Sequence, residues 1–270
     1  MKIKSPYLVK PHTQVRLNKW PTAATGKYKQ EDEASADLEK HRKALGDLQE
    51  VLSAEGKHAV LVVLQAMDTG GKDGTIRHIF TGVNPQGCSV TSFKVPTPLE
   101  LAHDFLWRAH LAVPRLGTIG IFNRSHYEDV LVTRVHKMVS DKLAKERFRQ
   151  INHFEEMLAE NGVAILKFFL HISREEQTAR LKARCNDKDK QYKISESDFH
   201  ERVFWSRYQH AYEDALSHTS HKHAPWFVIP SDRKWYRNVA ISEIMVEAMR
   251  SLKMKYPTAS FDVSKVCDTL

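Results

Sequence analysis

Cysteine is scarce in this chain, which has only Cys88, Cys185 and Cys267 in 270 residues, far apart and without C-x-x-C spacing. This usage excludes a disulfide framework, gives no support to a zinc site and is expected of a protein in a reducing cytoplasm. Long apolar runs are also missing, since no stretch approaches the roughly 18 apolar residues of a membrane helix. The basic N-terminal segment has no apolar h-region, so no secretory signal is visible. We therefore expect a cytoplasmic protein without a membrane partner.

Acidic residues are outnumbered: 41 Lys and Arg against 33 Asp and Glu give a formal net charge of +8. Such an excess suits a polyanionic partner, whether nucleic acid, an anionic membrane or a phosphorylated small molecule, and charge alone does not choose between them. The chain has no RRM-like aromatic motif, zinc finger or helix-turn-helix signature. A nucleic-acid-binding module is therefore the weaker interpretation, and we expect no nucleic-acid partner.

Valine-rich and other apolar runs of strand length alternate with segments whose apolar residues have helical spacing. The alternation predicts an α/β protein of three α/β/α layers around a parallel five-stranded sheet. Strands are predicted over 58–66, 88–95, 118–124, 163–172 and 224–230. Helices are predicted over 37–54, from Pro98 to Ala112, over 137–161, and over a last segment that places Ile241, Ile244, Met245, Ala248 and Leu252 on one face.

One connection is too long for a single crossover helix. Residues 174–223 are basic and helical in composition, and we interpret them as a helical lid that projects over the sheet. Trp205, Tyr208 and Tyr212 lie there at helical spacing, which favours packing within the lid over a cage for a base. The predicted domain covers residues 37–255, residues 1–36 wrap its surface, and residues 256–270 form a C-terminal tail.

The segment QAMDTGGKDGT, residues 65–75, joins the first strand to a helix and has the character of a phosphate-binding loop. Three of the eleven glycines lie in it, so that backbone N–H groups can approach an anion, and Lys72 supplies a cation. The alternative is a glycine-rich turn that carries a surface lysine. The position directly after a buried strand favours the phosphate loop.

This loop departs from the usual pattern G-x-x-x-x-G-K-[ST] at two positions. Ala66 replaces the first glycine, and Asp73 replaces the Ser or Thr whose hydroxyl would bind Mg²⁺. Asp68 lies inside the loop, where a carboxylate repels phosphate unless a metal ion lies between them. We therefore predict a site that holds phosphate and Mg²⁺ together.

A second polar cluster, NRSHYEDVLVTRVH at residues 123–136, follows the third strand. Because ligands of parallel sheets bind at the carboxyl ends of strands, this cluster is expected to face the phosphate loop. Carboxylates here can hold Mg²⁺ or orient a nucleophile, and arginines can neutralise phosphoryl oxygens. An alternative is a capping box between Ser125 and Glu128, which would leave Asp129 as the free carboxylate.

Three segments, AMDTGGKDG, FNRSHYEDVLV and KQYKIS, together resemble the polyphosphate kinase 2 family, and the similarity covers roughly residues 35–255. The resemblance implies a P-loop kinase fold of the thymidylate-kinase type with a helical lid. It also implies phosphoryl transfer between inorganic polyphosphate and a nucleotide, with Mg²⁺ or with Mn²⁺ in its place. Many members read Asp-Arg-Ser where this chain has Asn123-Arg124-Ser125, and the version with Asn and a Glu-Asp pair resembles a subgroup that phosphorylates both AMP and ADP.

The resemblance and the loop chemistry together define the predicted site. The predicted catalytic residues are Asp68, Lys72, Arg124 and Asp129, of which Asp68 and Asp129 are also the predicted metal ligands. Predicted nucleotide- or phosphate-binding residues are Thr69, Gly70, Gly71, Lys72, Asp73, Gly74, Asn123, Arg124, Glu128, Arg134, Arg180, Arg184, Lys188 and Lys193. A basic channel for polyphosphate is predicted along Lys94, Arg134, Lys188 and Lys193.

The implied substrates are polyphosphate with adenine or guanine nucleotides, and a homo-oligomer is expected because members of the family associate. An ATP-dependent nucleoside monophosphate kinase of the same fold is the alternative, and the two differ in the phosphoryl donor. The missing Ser or Thr of the loop and the many lid cations favour polyphosphate.

Overall fold

The computed structural model describes residues 3–267, and its centre is one all-parallel sheet of five strands in the order β2-β3-β1-β4-β5. The strands are β1 Ala59–Ala66, β2 Cys88–Ser92, β3 Ile119–Asn123, β4 Val163–His171 and β5 Trp226–Pro230. The α-helices of the described residues are α1 Glu31–Glu55, α2 Lys72–Ile79, α3 Pro98–Leu101, α4 Trp107–Leu111, α5 Val132–Val135, α6 Asp141–Glu160, α7 Arg174–Asn186, α8 Glu196–Glu201, α9 Trp205–Thr219, α10 Lys234–Ser251 and α11 Val263–Cys267. The predicted α/β class and the parallel five-stranded sheet are confirmed.

Two hydrophobic layers cover the sheet, one on each face. Along β1, Val60 and Val62 pack toward the layer formed with α1 and α10, whereas Leu61 and Val63 pack toward the layer formed with α6 and α9. Every residue of β1 and β4 is buried. This is the reason that both strands read as continuous apolar runs rather than alternating ones.

The register of β1 and β3 decides where the site lies. The two strands are neighbours in parallel register, with Leu64 opposite Asn123. The phosphate loop after β1 and the polar cluster after β3 therefore leave the same edge of the sheet, as predicted. The connections after β1 and β3 lead to strands on opposite sides of this pair, and such a switch in direction opens a crevice for ligands.

The helix predicted from Pro98 to Ala112 is wrong, because the structure has two short helices, α3 and α4. The side chain of Asp104 accepts a hydrogen bond from the backbone N–H of Leu106 (2.9 Å). Such a local bond competes with the helical pattern and starts a new turn. Two other helices also differ at their first residue, since α1 begins at Glu31 and α6 begins after Ser140, whose hydroxyl accepts from the N–H of Leu143 (3.1 Å).

The long connection 174–223 consists of α7, a 3₁₀ segment over Lys188–Lys193, and then α8 and α9. Helix α9 is part of the core, because Tyr208, Tyr212 and Leu216 pack in the same hydrophobic cluster as β4. Tyr208 and Tyr212 are buried, in agreement with packing rather than a cage for a base. Most of the exposed surface of this connection belongs to residues 182–203.

The N-terminal segment lies against the edge strand β5. The N–H of Val9 donates to the carbonyl of Trp226 and the N–H of Val228 donates to the carbonyl of Tyr7, both at 2.9 Å. At the other end of the chain, α11 is exposed, and residues 268–270 of the predicted tail lie outside the described residues. No helix within residues 3–267 has the length and apolar character needed to cross a membrane.

Candidate active site

The loop between β1 and α2 is tightly folded and needs glycine at two positions. A Cβ on Gly70 would lie 2.4 Å from the Cβ of Ala66, and Gly71 has a φ of +98°. Between these glycines and β1, Thr69 has a φ of 62°, which is an unfavourable conformation for a β-branched residue. Its carbonyl accepts a hydrogen bond from Arg180 Nη1 (3.0 Å), which helps to hold the strained residue in place.

Lys72 begins α2 and folds back over the loop, where its Nζ donates to the carbonyl of Ala66 (3.3 Å). Burial and the Arg124 guanidinium lower the pKa of Lys72. Within residues 3–267 no carboxylate lies at ion-pair distance from its Nζ, and no side chain caps the N-terminus of α2. An unpaired ammonium beside free helical N–H groups is an anion-binding arrangement.

Arg124 joins the two predicted motifs. Its Nη2 lies 3.2 Å from Asp68 Oδ1, and its Nη1 lies 3.5 Å from Glu128 Oε2. A second link is the hydrogen bond from Asn123 Nδ2 to Asp73 Oδ1 (2.7 Å). Arg124 has a φ of 62°, so the guanidinium is presented from a backbone conformation that is rare for a long side chain. The structure thus brings the phosphate loop and the end of β3 into one site.

Glu128 is free of the capping box that the sequence left open. The hydroxyl of Ser125 accepts from the N–H of Tyr127 and from Gln65 Nε2, both at 3.1 Å, and the Glu128 carboxylate faces Arg124 instead. Burial raises the pKa of Glu128, an effect that Arg124 and Lys72 oppose. The carboxylates of Asp68 and Glu128 therefore converge on one guanidinium.

Asp129, by contrast, faces other elements of the protein. Its carboxylate lies 3.5 Å from Arg108 Nη2 on α4 and 3.8 Å from Arg147 Nη1 on α6, and burial raises its pKa. Arg147 also donates to the backbone carbonyl of Asp129 (2.7 Å). In the described part of the chain no ion pair joins Asp129 to Arg124 or Lys72. Asp68 and Asp129, the two predicted metal ligands, thus lie at ion-pair distance from different arginines.

Apart from Lys72 and Arg124, the predicted phosphate-binding cations divide into two groups. Arg134 and Arg180 are already engaged: Arg134 pairs with Asp141 (2.7 Å) and Asp214 (2.6 Å), whereas Arg180 is buried and donates to carbonyls of the loop and of the segment after β5. Lys94, Lys188 and Lys193 are exposed and Arg184 is half-buried. The second group remains available to a polyanion.

Two residues that contact the phosphate loop belong to none of the sequence motifs and were not predicted. Gln177 Nε2 donates to the carbonyl of Asp68 (3.1 Å), and Arg237 Nη1 donates to the carbonyl of Gly70 (3.3 Å). The sequence does contain one indication of the role of Arg237. It lies four residues before Ile241 and therefore on the apolar face of the helix, where an arginine must find polar partners in the protein interior.

A buried polar network supports the turn that carries Glu128. Lys167 of β4 donates to Glu155 Oε2 (2.5 Å), to the hydroxyl of Tyr127 (2.8 Å) and to the carbonyl of Thr219 (2.7 Å). The Tyr127 hydroxyl donates to Glu155 Oε1 (2.9 Å), and His126 Nε2 lies 3.3 Å from the same oxygen. Burial lowers the pKa of Lys167 to about 8, against the opposing effect of Glu155.

The donor set fits Mg²⁺ only as a site shared with substrate. No group of three or more His, Cys, Asp or Glu side chains suited to a metal ion occurs within residues 3–267. Mg²⁺ in kinase sites is commonly bound through one or two carboxylates together with substrate phosphates and water. Asp68 and Glu128, which both face Arg124, supply such a pair.

A sequence profile described as Polyphosphate kinase 2 matches residues 28–257. This chain belongs to the polyphosphate kinase 2 family. It is 50% identical over 252 residues to the AMP/ADP-polyphosphate phosphotransferase of Meiothermus ruber, covering 93% of this chain and 94% of that protein. It is 43% identical over 270 residues to the ADP-polyphosphate phosphotransferase of Rhodopseudomonas palustris, covering 95% and 93%.

The fold agrees with this membership. The crystal structure of a polyphosphate kinase 2 from Arthrobacter aurescens TC1 superimposes with a TM-score of 0.92 at 38% identity, over 97% of both chains. The P-loop kinase fold implied by the three sequence segments is therefore confirmed, and the candidate site lies at the β1 and β3 ends of that fold.

Proposed function

We propose that this protein transfers the terminal phosphoryl group of inorganic polyphosphate to nucleoside mono- and diphosphates, converting AMP to ADP and ADP to ATP in a reaction that is reversible in principle. The observation that carries this proposal is the contact of Arg124 with both Asp68 and Glu128 beside the unpaired ammonium of Lys72. Membership of the polyphosphate kinase 2 family supports polyphosphate as the donor.

The reaction needs positioning more than base catalysis. The terminal phosphate of the acceptor, with a second pKa of about 6, is already an anionic nucleophile near neutral pH. One of its oxygens forms a bond to the terminal phosphorus of polyphosphate, the P–O–P bond to the next phosphate breaks, and the chain leaves one unit shorter. The transfer reaction neither consumes nor releases water or a proton.

The residues of the site have separate tasks. Lys72 and the free N–H groups at the start of α2 bind phosphate oxygens. Arg124 stabilises the charge of the transferring group. Asp68 and Glu128 would hold Mg²⁺, which when bound neutralises phosphate charge and orients the oxygens. We assign the second carboxylate to Glu128 rather than to Asp129, because Asp129 is engaged by Arg108 and Arg147.

The path of the donor chain follows the exposed cations. Polyphosphate carries about one charge per phosphate, as nucleic-acid backbones do, and requires cations along its length. Lys94, Lys188 and Lys193 are exposed and Arg184 is half-buried. We keep the three lysines in the proposed channel, add Arg184, and omit Arg134, whose charge Asp141 and Asp214 already neutralise.

Dual use of AMP and ADP is supported by Asn123, by the Glu128-Asp129 pair and by the similarity to a relative that is named for both acceptors. Use of guanine nucleotides, association into a homo-oligomer and a cytoplasmic location stay predictions.

Donor choice tests the proposal. Purified protein is incubated with AMP and Mg²⁺ plus either long-chain polyphosphate or ATP, and the nucleotides are separated by anion-exchange chromatography. We expect ADP and then ATP from polyphosphate, and little ADP from ATP plus AMP. ADP formed only when ATP is the donor would identify the protein as an ATP-dependent nucleoside monophosphate kinase instead.

A further inference from the structure

Arg237 is a fully buried cation, 1% exposed, that lies directly behind the phosphate loop. Its Nη1 donates to the carbonyl of Gly70, and its Nε and Nη2 both donate to Asn238 Oδ1. A Cβ on Gly71 would lie 2.0 Å from Arg237 Nη1, so glycine at this position leaves room for the guanidinium. Arg237 and the loop therefore fit each other closely.

This guanidinium has no acidic partner in the part of the chain that the structure describes. Within residues 3–267 no carboxylate lies at ion-pair distance from Arg237, and the charge next to it is the second cation Arg180. Burial and Arg180 both lower the pKa of Arg237. The neighbouring Arg180 has its own carboxylate, because it pairs with Glu176.

An unpaired buried charge is costly to a folded protein, and buried charges are normally paired or bound to an ion of opposite sign. The N-terminus of α2 and the ammonium of Lys72 add further positive charge on the open side of the same loop. An anion that compensates the charge of Arg237 is therefore expected to bind on the solvent-facing side of Gly70 and Gly71.

We propose that Arg237 is a positioning residue for the phosphate loop, and that the polyphosphate chain of a nucleotide or of inorganic polyphosphate, bound at that loop, is its counter-ion. Arg237 acts through the backbone: it holds the carbonyl of Gly70 and adds its charge from behind, while the N–H groups of the loop contact the phosphate. The inference rests on the proposed function for the identity of the anion.

A purely structural role for Arg237 predicts the opposite behaviour of the unliganded protein. A guanidinium that only ties α10 to the loop stabilises the fold, so that its removal lowers the unfolding midpoint whether or not an anion is bound. A buried charge that awaits its counter-ion destabilises the unliganded protein. Its removal leaves the midpoint unchanged or raises it, and weakens the binding of the anion.

The test compares the full-length wild type with Arg237→Met, Arg237→Lys and Arg250→Met. Arg250→Met is the matched control, because it removes the same charge from the exposed end of α10, about 20 Å away along the helix. Thermal unfolding is followed without anion and with increasing tripolyphosphate, at an ionic strength held constant with sodium chloride.

We expect Arg237→Met to unfold at or above the wild-type midpoint without anion, and to bind tripolyphosphate about tenfold or more weakly. Arg237→Lys should recover most of the affinity, and Arg250→Met should behave like the wild type. An unliganded midpoint below wild type, a failure of Arg237→Met to fold, or an unchanged response to tripolyphosphate would each overturn the inference.

Turnover separates this inference from the proposed function. If tripolyphosphate binding depends on Arg237 but polyphosphate and AMP give no ADP, the inference stands and the proposed function fails. If Arg237→Met forms ADP from polyphosphate with the wild-type KM, the inference fails and the proposed function stands.

Discussion

At the scale of single residues, Glu128 and Asp129 are adjacent in the chain but belong to different parts of the molecule. The 3₁₀ turn His126–Asp129 directs Glu128 toward Arg124 and directs Asp129 toward Arg108 and Arg147. An acidic pair in a sequence does not reveal which member faces a site, because that depends on the turn between them.

Substitution of each acid separates the two roles. We expect Glu128→Gln to reduce kcat for AMP phosphorylation by about 100-fold or more, in the range found when a group that stabilises the transition state is removed. Asp129→Asn should keep most of the activity but lower the free energy of unfolding by about 1 to 3 kcal/mol, since two arginines lose a charged acceptor.

Steady-state kinetics and urea unfolding of both variants measure these effects, and each variant serves as the control for the other. A loss of kcat in Asp129→Asn as large as that in Glu128→Gln, with unchanged stability, would return the second carboxylate role to Asp129.

The residue types that form the phosphate loop could be recognised in the sequence, but the residues that support the loop from other elements could not. Gly70, Gly71 and Lys72 are recognisable because phosphate binding needs those residue types at that spacing. Arg237 was missed because it lies more than 160 residues further along the chain, and its contact with the carbonyl of Gly70 exists only in the folded protein.

At the scale of elements, the placement of the two motifs at one edge of the sheet follows from physics that is visible in the sequence, whereas the adjacency of β1 and β3 is known only from the structure. Buried apolar runs in alternation with helices predict a parallel sheet, and the carboxyl ends of parallel strands meet at one edge. The break between α3 and α4 was not visible in the apolar spacing, because the hydrogen bond from the N–H of Leu106 to the side chain of Asp104 leaves no trace in that pattern.

The network around Lys167 connects three elements through groups buried in an apolar environment. The lysine lies on β4, Glu155 lies on α6, and the Tyr127 hydroxyl belongs to the turn before Glu128. Lys167 is a single charged residue in an apolar run. The sequence alone therefore did not show whether its side chain is buried or exposed.

Removal of one partner of this pair should be costly, whereas removal of both should not. Lys167→Met leaves the Glu155 carboxylate buried without a cation, and we expect it to lower the free energy of unfolding by about 3 to 5 kcal/mol. The double variant Lys167→Met with Glu155→Gln keeps the side-chain volumes, removes both charges and should lie within about 1.5 kcal/mol of the wild type.

Urea unfolding of the wild type, the two single variants and the double variant forms a complete cycle. A double variant whose loss of stability equals the sum of the losses in the two single variants would show that the lysine and the carboxylate act independently.

At the scale of the whole molecule, exposure and pairing distinguish the cations that the sequence lists alike. Lys94, Lys188 and Lys193 are exposed cations of the proposed channel. Arg134 is half-buried and paired with Asp141 and Asp214, whereas Arg180 and Lys167 are buried and engaged inside the protein. Net charge predicted a polyanionic partner but could not indicate which cations are free, because pairing depends on the tertiary fold.

The packing of the connection 174–223 also depends on the tertiary fold. Its length and basic composition predicted one projecting lid, but Tyr208, Tyr212 and Leu216 bury α9 in the core. We therefore expect any lid movement to involve α7, α8 and the 3₁₀ segment between them rather than α9.

We propose that the phosphate loop and the end of β3 form one site, at which polyphosphate meets a nucleotide. The most direct measurement uses polyphosphate labelled with ³²P and unlabelled AMP, with the position of the label in the isolated ADP determined for the wild type and for Lys72→Met. We predict label in the β-phosphate of ADP for the wild type, and a rate at least about 100-fold lower for Lys72→Met. Unlabelled product, or transfer by Lys72→Met at the wild-type rate, would contradict the account.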